Sequence, residues 1–218
     1  MIDPAIESHY GTGYERGRLF RGGRPSLEFV RSLELLERLL PAPPARVLDV
    51  GGGPGTYAAP LARLGYRVHL VDPVPLHVEQ ARRAAGADPA ASFTAALGDA
   101  RELAEPDASQ DAVLLFGPLY HLTRAGQRRQ ALAQARRVLA PGGRLLAMAV
   151  SRFASLLTGC MRTGWTTRSS GRSWTRTWPM ASIATPIRPA GPSSSPPPTS
   201  MPPTAWPTIE HPVRRTFR

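Results

Sequence analysis

Five short apolar runs separated by amphipathic stretches set the pattern of this chain. Val47 to Val50, Arg67 to Val71, Ser92 to Ala95, Ala112 to Phe116 and Arg144 to Val150 read as strands buried on both faces, as in a parallel sheet. Helical spacing lies between them. Phe29, Val30, Leu33, Leu36 and Leu40 share one predicted face, ended by Pro41. Ala58, Leu61, Ala62 and Leu64 predict a second helix, with Gly65 as its stop and Pro60 confined to its first turn. Leu132, Ala135 and Leu139 mark a third, which ends near Leu139 before a turn at Pro141 to Gly143. Strand and helix alternate, so the spacing predicts an α/β domain with a mostly parallel sheet.

The junction after the first strand carries the candidate chemistry. Gly51, Gly52 and Gly53 follow Val50 directly, with Gly55 close behind, so the chain turns tightly and its backbone can approach a ligand. Asp72 ends the second strand, where an open α/β sheet places an acid that grips a ribose diol. Nicotinamide, flavin and S-adenosylmethionine enzymes all use such a turn. Asp49, inside the first strand, has two readings: it caps the amides of the loop, or it faces a cationic ammonium or sulfonium. Pro54 after the glycines departs from the spacing of the dinucleotide fingerprint. Further on, Gly98, Asp99 and Ala100 follow the third strand, and Gly117-Pro118 breaks the chain after the fourth.

In this order and spacing, the segments resemble the class I S-adenosylmethionine-dependent methyltransferases, over about Ala45 to Leu157. The resemblance implies a Rossmann-like, doubly wound sheet in the order 3-2-1-4-5-7-6. Five strands are readable here, and the final antiparallel hairpin has no visible counterpart. It further implies that Asp49, Gly51, Gly53 and Gly55 surround the methionine moiety and that Asp72 accepts both ribose hydroxyls. Asp99 and the amide of Ala100 would meet the adenine, and Gly117 to Tyr120 would border the methyl group and its acceptor.

Tyr120 and His121, just after the fourth strand, are candidate catalytic residues, because imidazole has a suitable pKa for taking a phenol or amine proton. The plainer reading, that they orient the loop or fill the pocket wall, is preferred. Tyr10, Tyr14 and Arg18 are candidate lid residues, against the preferred alternative of a mobile terminus. His69, inside the second strand, reads as structural. Arg82-Arg83, Arg128-Arg129 and Arg136-Arg137 read as solvated helix faces. No His/Cys cluster has metal spacing, so no metal is expected.

Composition divides the chain near residue 160. From Cys160 onward there are no leucines, all four tryptophans, eleven prolines, eighteen Ser or Thr, and eight Arg against one acid. That segment contributes +7 of the net charge of +11, so the basicity is not a nucleic-acid footprint of the folded domain. The lone Cys160 lies at this boundary and is given no role. Codon arithmetic suggests why the character changes. Read one base earlier, Trp178 before Pro179 forces alanine and Met180 before Ala181 forces glycine, and GC-rich codons elsewhere yield leucine, aromatics and balanced charge. A change of coding frame between Leu157 and Met161 is therefore expected.

Three regions follow: 1–45, an N-terminal lid and helix; 46–158, an S-adenosylmethionine-binding core; and 159–218, a Pro/Ser/Thr/Arg-rich tail, disordered or out of frame. No apolar run approaches the ~20 residues of a membrane span, and the first residues lack the regions of a signal peptide. A cytoplasmic methyltransferase acting on a small-molecule acceptor is expected, with no specific nucleic-acid or membrane partner. Inactivity of the chain as translated is an open alternative. The alternatives are a nicotinamide-dependent oxidoreductase and a non-enzymatic remnant or binding protein with a basic tail.

Overall fold

The computed structural model describes residues 15 to 154 except Gly22 and Arg152. A short helix α1 (Glu15–Arg18) and a two-residue ladder, Phe20–Arg21 with Arg24–Pro25, lead into α2 (Leu27–Leu39). Ser26 caps α2, its hydroxyl oxygen accepting from the Phe29 N–H at 3.2 Å. Phe29, Ser32, Leu33 and Leu36 form the buried stripe, and Leu40 continues it. Val30 does not join them. It is 44 % exposed, because one residue beyond Phe29 rotates it about 100° away from the core-facing line.

The sheet comprises β1 (Arg46–Val50), β2 (Arg67–Asp72), β3 (Thr94–Leu97), β4 (Gln110–Leu115) and β5 (Leu139–Ala147), in the order β3-β2-β1-β4-β5. All four pairings are parallel. Helices α3 (Ala58–Arg63), α4 (Pro75–Ala87), the four-residue α5 (Pro118–His121) and α6 (Ala125–Val138) connect the strands. Side chains of β1 alternate between two cores: Val47 packs with α2 and α3 through Leu33, Leu36 and Leu61, and Leu48 and Val50 pack with Ala131, Ala135 and Val138 of α6. The chain leaves β1 in one direction across the sheet and returns to β4 on the other side. Their carboxyl ends thus flank a switch point, where open α/β sheets bind ligands.

Several boundaries and faces differ from those the spacing predicts. β3 starts at Thr94 rather than Ser92, because Asp88 caps a 3-10 turn (Pro89–Ala91) and Phe93 turns into the core. β5 pairs first at Leu139, slips through Pro141 to Gly143 with Gly142 at φ +78°, and pairs regularly from Arg144 to Ala147. Leu132 is half exposed, and Ala131, Ala135 and Val138 form the stripe of α6 instead. Arg128 and Arg137 are not simply solvated. Arg128 donates to the Leu122 and Thr123 carbonyls at 2.7 and 2.8 Å. Arg137 donates to the carbonyls of Leu103 and Glu105 and to Asp107. His69 has a structural environment, bonded to Thr94 at 2.7 Å and facing Glu105.

Among the described residues β5 has β4 as its single neighbour, so its outer edge is open, with Leu145 40 % exposed. The final hairpin, Tyr10, Tyr14 and the tail with its proposed frame change all lie outside the described residues.

Candidate functional site

A cleft of about 480 Å³ opens at the carboxyl ends of β1, β2 and β4. It gathers every candidate of the glycine turn and strand ends except Gly55, which stands just behind it: Asp49, Gly51, Gly53, Asp72, Asp99, Ala100, Gly117, Tyr120 and His121 all line it. Gly51 begins the turn at φ +72°, and a Cβ there would lie 2.8 Å from Cδ of Pro118, the first residue of α5. Gly55, at φ +88°, supports the turn from the core side, where a Cβ would meet the Phe93 ring at 2.6 Å.

Asp49 and Asp72, the buried acids of the cleft, have opposite surroundings. Asp72 is buried and held by three donors: its Oδ2 accepts from the Gly53 N–H at 2.9 Å, and its Oδ1 accepts from the Val74 N–H at 2.9 Å and from His77 Nδ1 at 3.0 Å. A carboxylate offers about four lone-pair sites. Three are filled, which leaves the carboxylate with acceptor capacity. Asp49 is fully buried, and neither carboxylate oxygen has a hydrogen-bond partner in the structure. The carboxylate leans on the glycine turn so closely that a Cβ on Gly52 would fall 2.5 Å from Oδ2. Burial first, and the neighbouring Asp72 second, push its pKa up to about 7. It does not cap the loop amides. The reading that leaves it facing a cation remains.

Asp99 reaches the cleft already paired. Arg101 donates to it from both its backbone N–H and its Nε at 2.9 Å, and this pairing outweighs burial and holds the Asp99 carboxyl below its usual range. Tyr120 and His121 sit on α5, their rings 4.6 Å apart, and burial raises the Tyr120 phenol, so it enters the cleft as a hydroxyl donor. Arg18, the one described candidate of the lid, lines the cleft and pairs with Glu15 at 2.7 Å and Glu28 at 3.1 Å.

Glu15, His77 and Arg124 line the cleft without having been singled out by sequence. His77 had a usable signal: it stands five residues after the strand-end acid, on a helix whose first position is Pro75. Among the described residues no group of three or more His, Cys, Asp or Glu is placed to hold a metal ion.

A glycine turn, a strand-end acid and a cleft at the switch point of a parallel sheet define a protein that binds a nucleoside-bearing cofactor. Comparison with known proteins specifies the family. Residues 47–143 match the family model described as a methyltransferase domain. The chain is 36 % identical over 126 residues to an uncharacterised methyltransferase of Mycobacterium tuberculosis, covering 58 % of this chain and 46 % of the relative. It is 40 % identical over 121 residues to the demethylmenaquinone methyltransferase of Deinococcus radiodurans, covering 54 % and 48 % respectively. The crystal structure of the CcbJ methyltransferase from Streptomyces caelestis superposes with a TM-score of 0.51 at 27 % identity, over 59 % of this chain and 51 % of that one. Residues 47–143 thus match a methyltransferase domain, and methyltransferases are among the similar curated proteins and solved structures. The chain spans about half the length of the curated relatives it matches.

Proposed function

We propose that this chain binds S-adenosylmethionine across the ends of β1 and β2 and transfers its methyl group to a small-molecule acceptor entering between α1 and α5. The observation that carries this reading is the contrast between the two buried acids. A buried carboxylate without partners is costly, and an ammonium-bearing ligand beside the glycine turn would relieve that cost at Asp49. Asp72, held by three donors, keeps an acceptor site for a ribose hydroxyl. Gly51, Gly53 and Gly55 let the backbone close on the methionine end, and Asp99 with the Ala100 amide serves the adenine once Arg101 shares its carboxylate. Gly117 gives the acceptor side its close approach, since a Cβ there would lie 3.1 Å from the Gly51 carbonyl oxygen.

The cofactor supplies an already activated methyl group. The protein's part is therefore in-line placement and exclusion of water. Tyr120 and His121 border the acceptor's approach. Where the acceptor carries a proton, His121 accepts it as the new bond to the methyl carbon forms, and Tyr120 orients the acceptor as a donor. Relatives that include a demethylmenaquinone methyltransferase support a small organic acceptor. None of the described helices is long and apolar enough to cross a membrane, and the reaction is proposed to be cytoplasmic, with no membrane or nucleic-acid partner.

Calorimetric titration tests the reading. S-adenosylhomocysteine should bind with a Kd on the order of 10 μM, and NAD should not bind at matched concentration; binding of NAD alone would overturn the assignment in favour of an oxidoreductase. The region after 158 is proposed to follow a change of coding frame. Sequencing independent clones tests that directly, an intact frame in all of them counting against it.

A further inference from the structure

The loop after β3 closes on itself between Gly98 and Glu102. The Gly98 N–H donates to the Asp72 carbonyl at 3.1 Å, and a Cβ on Gly98 would lie 2.6 Å from Cγ1 of Val71, so the missing side chain lets the loop press on the end of β2. The Glu102 N–H donates to the Asp99 carbonyl at 3.0 Å, and Ala100 is buried in the cluster that includes Ala131 and Ala135 of α6. These contacts hold the backbone of the turn. They leave the rotation of the Asp99 carboxylate undetermined, at a place in the cleft where that side chain is 29 % exposed.

Arg101 settles that rotation. Its backbone N–H donates to Asp99 Oδ1 at 2.9 Å, two residues along the chain, as in an Asx turn. Its side chain then folds back over the same carboxylate, Nε donating to Oδ1 at 2.9 Å and Nη2 to Oδ2. A planar guanidinium is shaped for such a two-pronged pairing. Of the four or so lone-pair sites of a carboxylate, both on Oδ1 are taken and one on Oδ2 remains. The fork also fixes the plane of the carboxylate, so the remaining site keeps one direction. Without the guanidinium, only the backbone N–H of the same residue would hold the group.

The same pairing keeps the Asp99 carboxyl below its usual range, hence ionised and able only to accept. An adenine turns an exocyclic amine, a donor, to such an oxygen. A 6-oxopurine turns a carbonyl, which meets it acceptor to acceptor.

We propose that Arg101 is a positioning residue for the cofactor's base: its guanidinium fixes the Asp99 carboxylate so that the open site on Oδ2 receives the exocyclic amine of a 6-aminopurine. This role rests on the cofactor site proposed above. It goes beyond that site in naming the side chain that, acting through Asp99, sets the choice of base. The fork need not open, because the amine takes the site that the fork leaves.

The test measures binding of three ligands to the full chain by calorimetry: S-adenosylhomocysteine, its 6-deamino analogue and its 6-oxo analogue, S-inosylhomocysteine. Each is titrated into the unsubstituted protein, Arg101→Ala and Arg101→Lys. In the unsubstituted protein, loss of the amine should weaken binding about tenfold, and the 6-oxo group should weaken it further. Arg101→Ala should weaken S-adenosylhomocysteine about tenfold and leave the deamino analogue nearly unchanged. Arg101→Lys, which keeps the charge and loses the fork, should fall between the two. An arginine that only stabilises the loop gives a different result: Arg101→Ala would weaken all three ligands by one common factor, and that would overturn the inference. Tighter binding of S-adenosylhomocysteine by Arg101→Ala would overturn it too, by showing that the guanidinium competes with the base. So would equal affinity of the unsubstituted protein for S-adenosylhomocysteine and the deamino analogue, a comparison that needs no variant to fold. All three of those results leave the cofactor reading standing. If S-adenosylhomocysteine itself fails to bind the unsubstituted protein, the cofactor reading fails, and the role given to Arg101 falls with it.

Discussion

The two ends of the cleft are built differently. The end proposed for the cofactor rests on the terminal residues of β1 and β2, central strands with neighbours on both sides, and Asp49 and Asp72 there are buried at 0 and 4 % exposure. The end proposed for the acceptor rests on α1 and α5, each of four residues, and its charged groups are only partly buried. Rigid strand ends hold the parts that must meet an invariant cofactor. On the proposed reading, short helices on the surface hold the parts that would meet the variable acceptor, a division of labour common where loops carry specificity on a fixed scaffold.

The sharpest way to test that contrast is through Asp49. Its folded pKa of about 7 lies above the ordinary carboxylate value of 3.8, so between those pH values the folded protein holds a proton that the unfolded chain has lost. Stability from this group is therefore fully present below about pH 4, falls as pH rises, and levels off above about pH 7. At about 1.4 kcal/mol per pH unit, the loss is on the order of 4 kcal/mol. Thermal melts from pH 5 to pH 8 should show the decline in the cofactor-free protein and not in Asp49→Asn. S-adenosylhomocysteine should flatten it, because an ammonium beside the carboxylate lowers the folded pKa again. An unchanged slope in Asp49→Asn would remove Asp49 from the cofactor end.

A smaller effect is expected where the two ends touch. In Gly51→Ala the new Cβ meets Pro118 at 2.8 Å in a backbone conformation that alanine resists. Strain and overpacking together should cost about 3 kcal/mol, and the displaced Pro118 should carry α5 with it. Both cofactor affinity and acceptor turnover should suffer. Loss of affinity with acceptor KM and turnover per bound cofactor unchanged would show that the two ends are mechanically independent.

Much of the cofactor end is legible in the sequence because it depends on short-range rules. Continuous apolar runs specify buried strands, and consecutive glycines after Val50 and an acid at position 72 follow from backbone geometry over a few residues. The register of β3 escapes such rules, because the capping by Asp88 and the inward turn of Phe93 are decided by tertiary packing. Arg137 escapes them too. On its helix it looks like any solvated cation, and only the fold brings the carbonyls of Leu103 and Glu105 within its reach, more than thirty residues away in the chain. The end proposed for the acceptor is less legible: Arg18, Tyr120 and His121 stand out in the sequence, but Glu15 and Arg124, which also line the cleft, belong to no periodicity that would single them out.

Arg137 sets the next prediction in order of size. It pins the segment that follows Asp99 and Ala100, thus bracing the cofactor end from behind. Arg137→Ala should lower stability by about 2 kcal/mol, by loss of two carbonyl partners that are left unsatisfied. The melting temperature should fall by about 6 °C, and S-adenosylhomocysteine should still bind, since no group of the cleft is removed.

The smallest effect on the fold is expected at the acceptor end. Burial opposes the charge on Arg18, but Glu15 and Glu28 more than offset it and hold the guanidinium proton more firmly than usual. Such partly exposed pairs contribute less than about 1 kcal/mol to stability. Arg18→Ala should accordingly change the melting temperature little and the affinity for S-adenosylhomocysteine by less than about twofold, while raising the KM of any acceptor substrate several-fold, because its side chain lines the cleft at the end proposed for the acceptor. Isothermal titration alongside steady-state kinetics separates the two. A large loss of cofactor affinity in Arg18→Ala would place α1 over the cofactor rather than the acceptor, and the division between a strand-built end and a helix-built end would have to be redrawn with Arg18 on the other side.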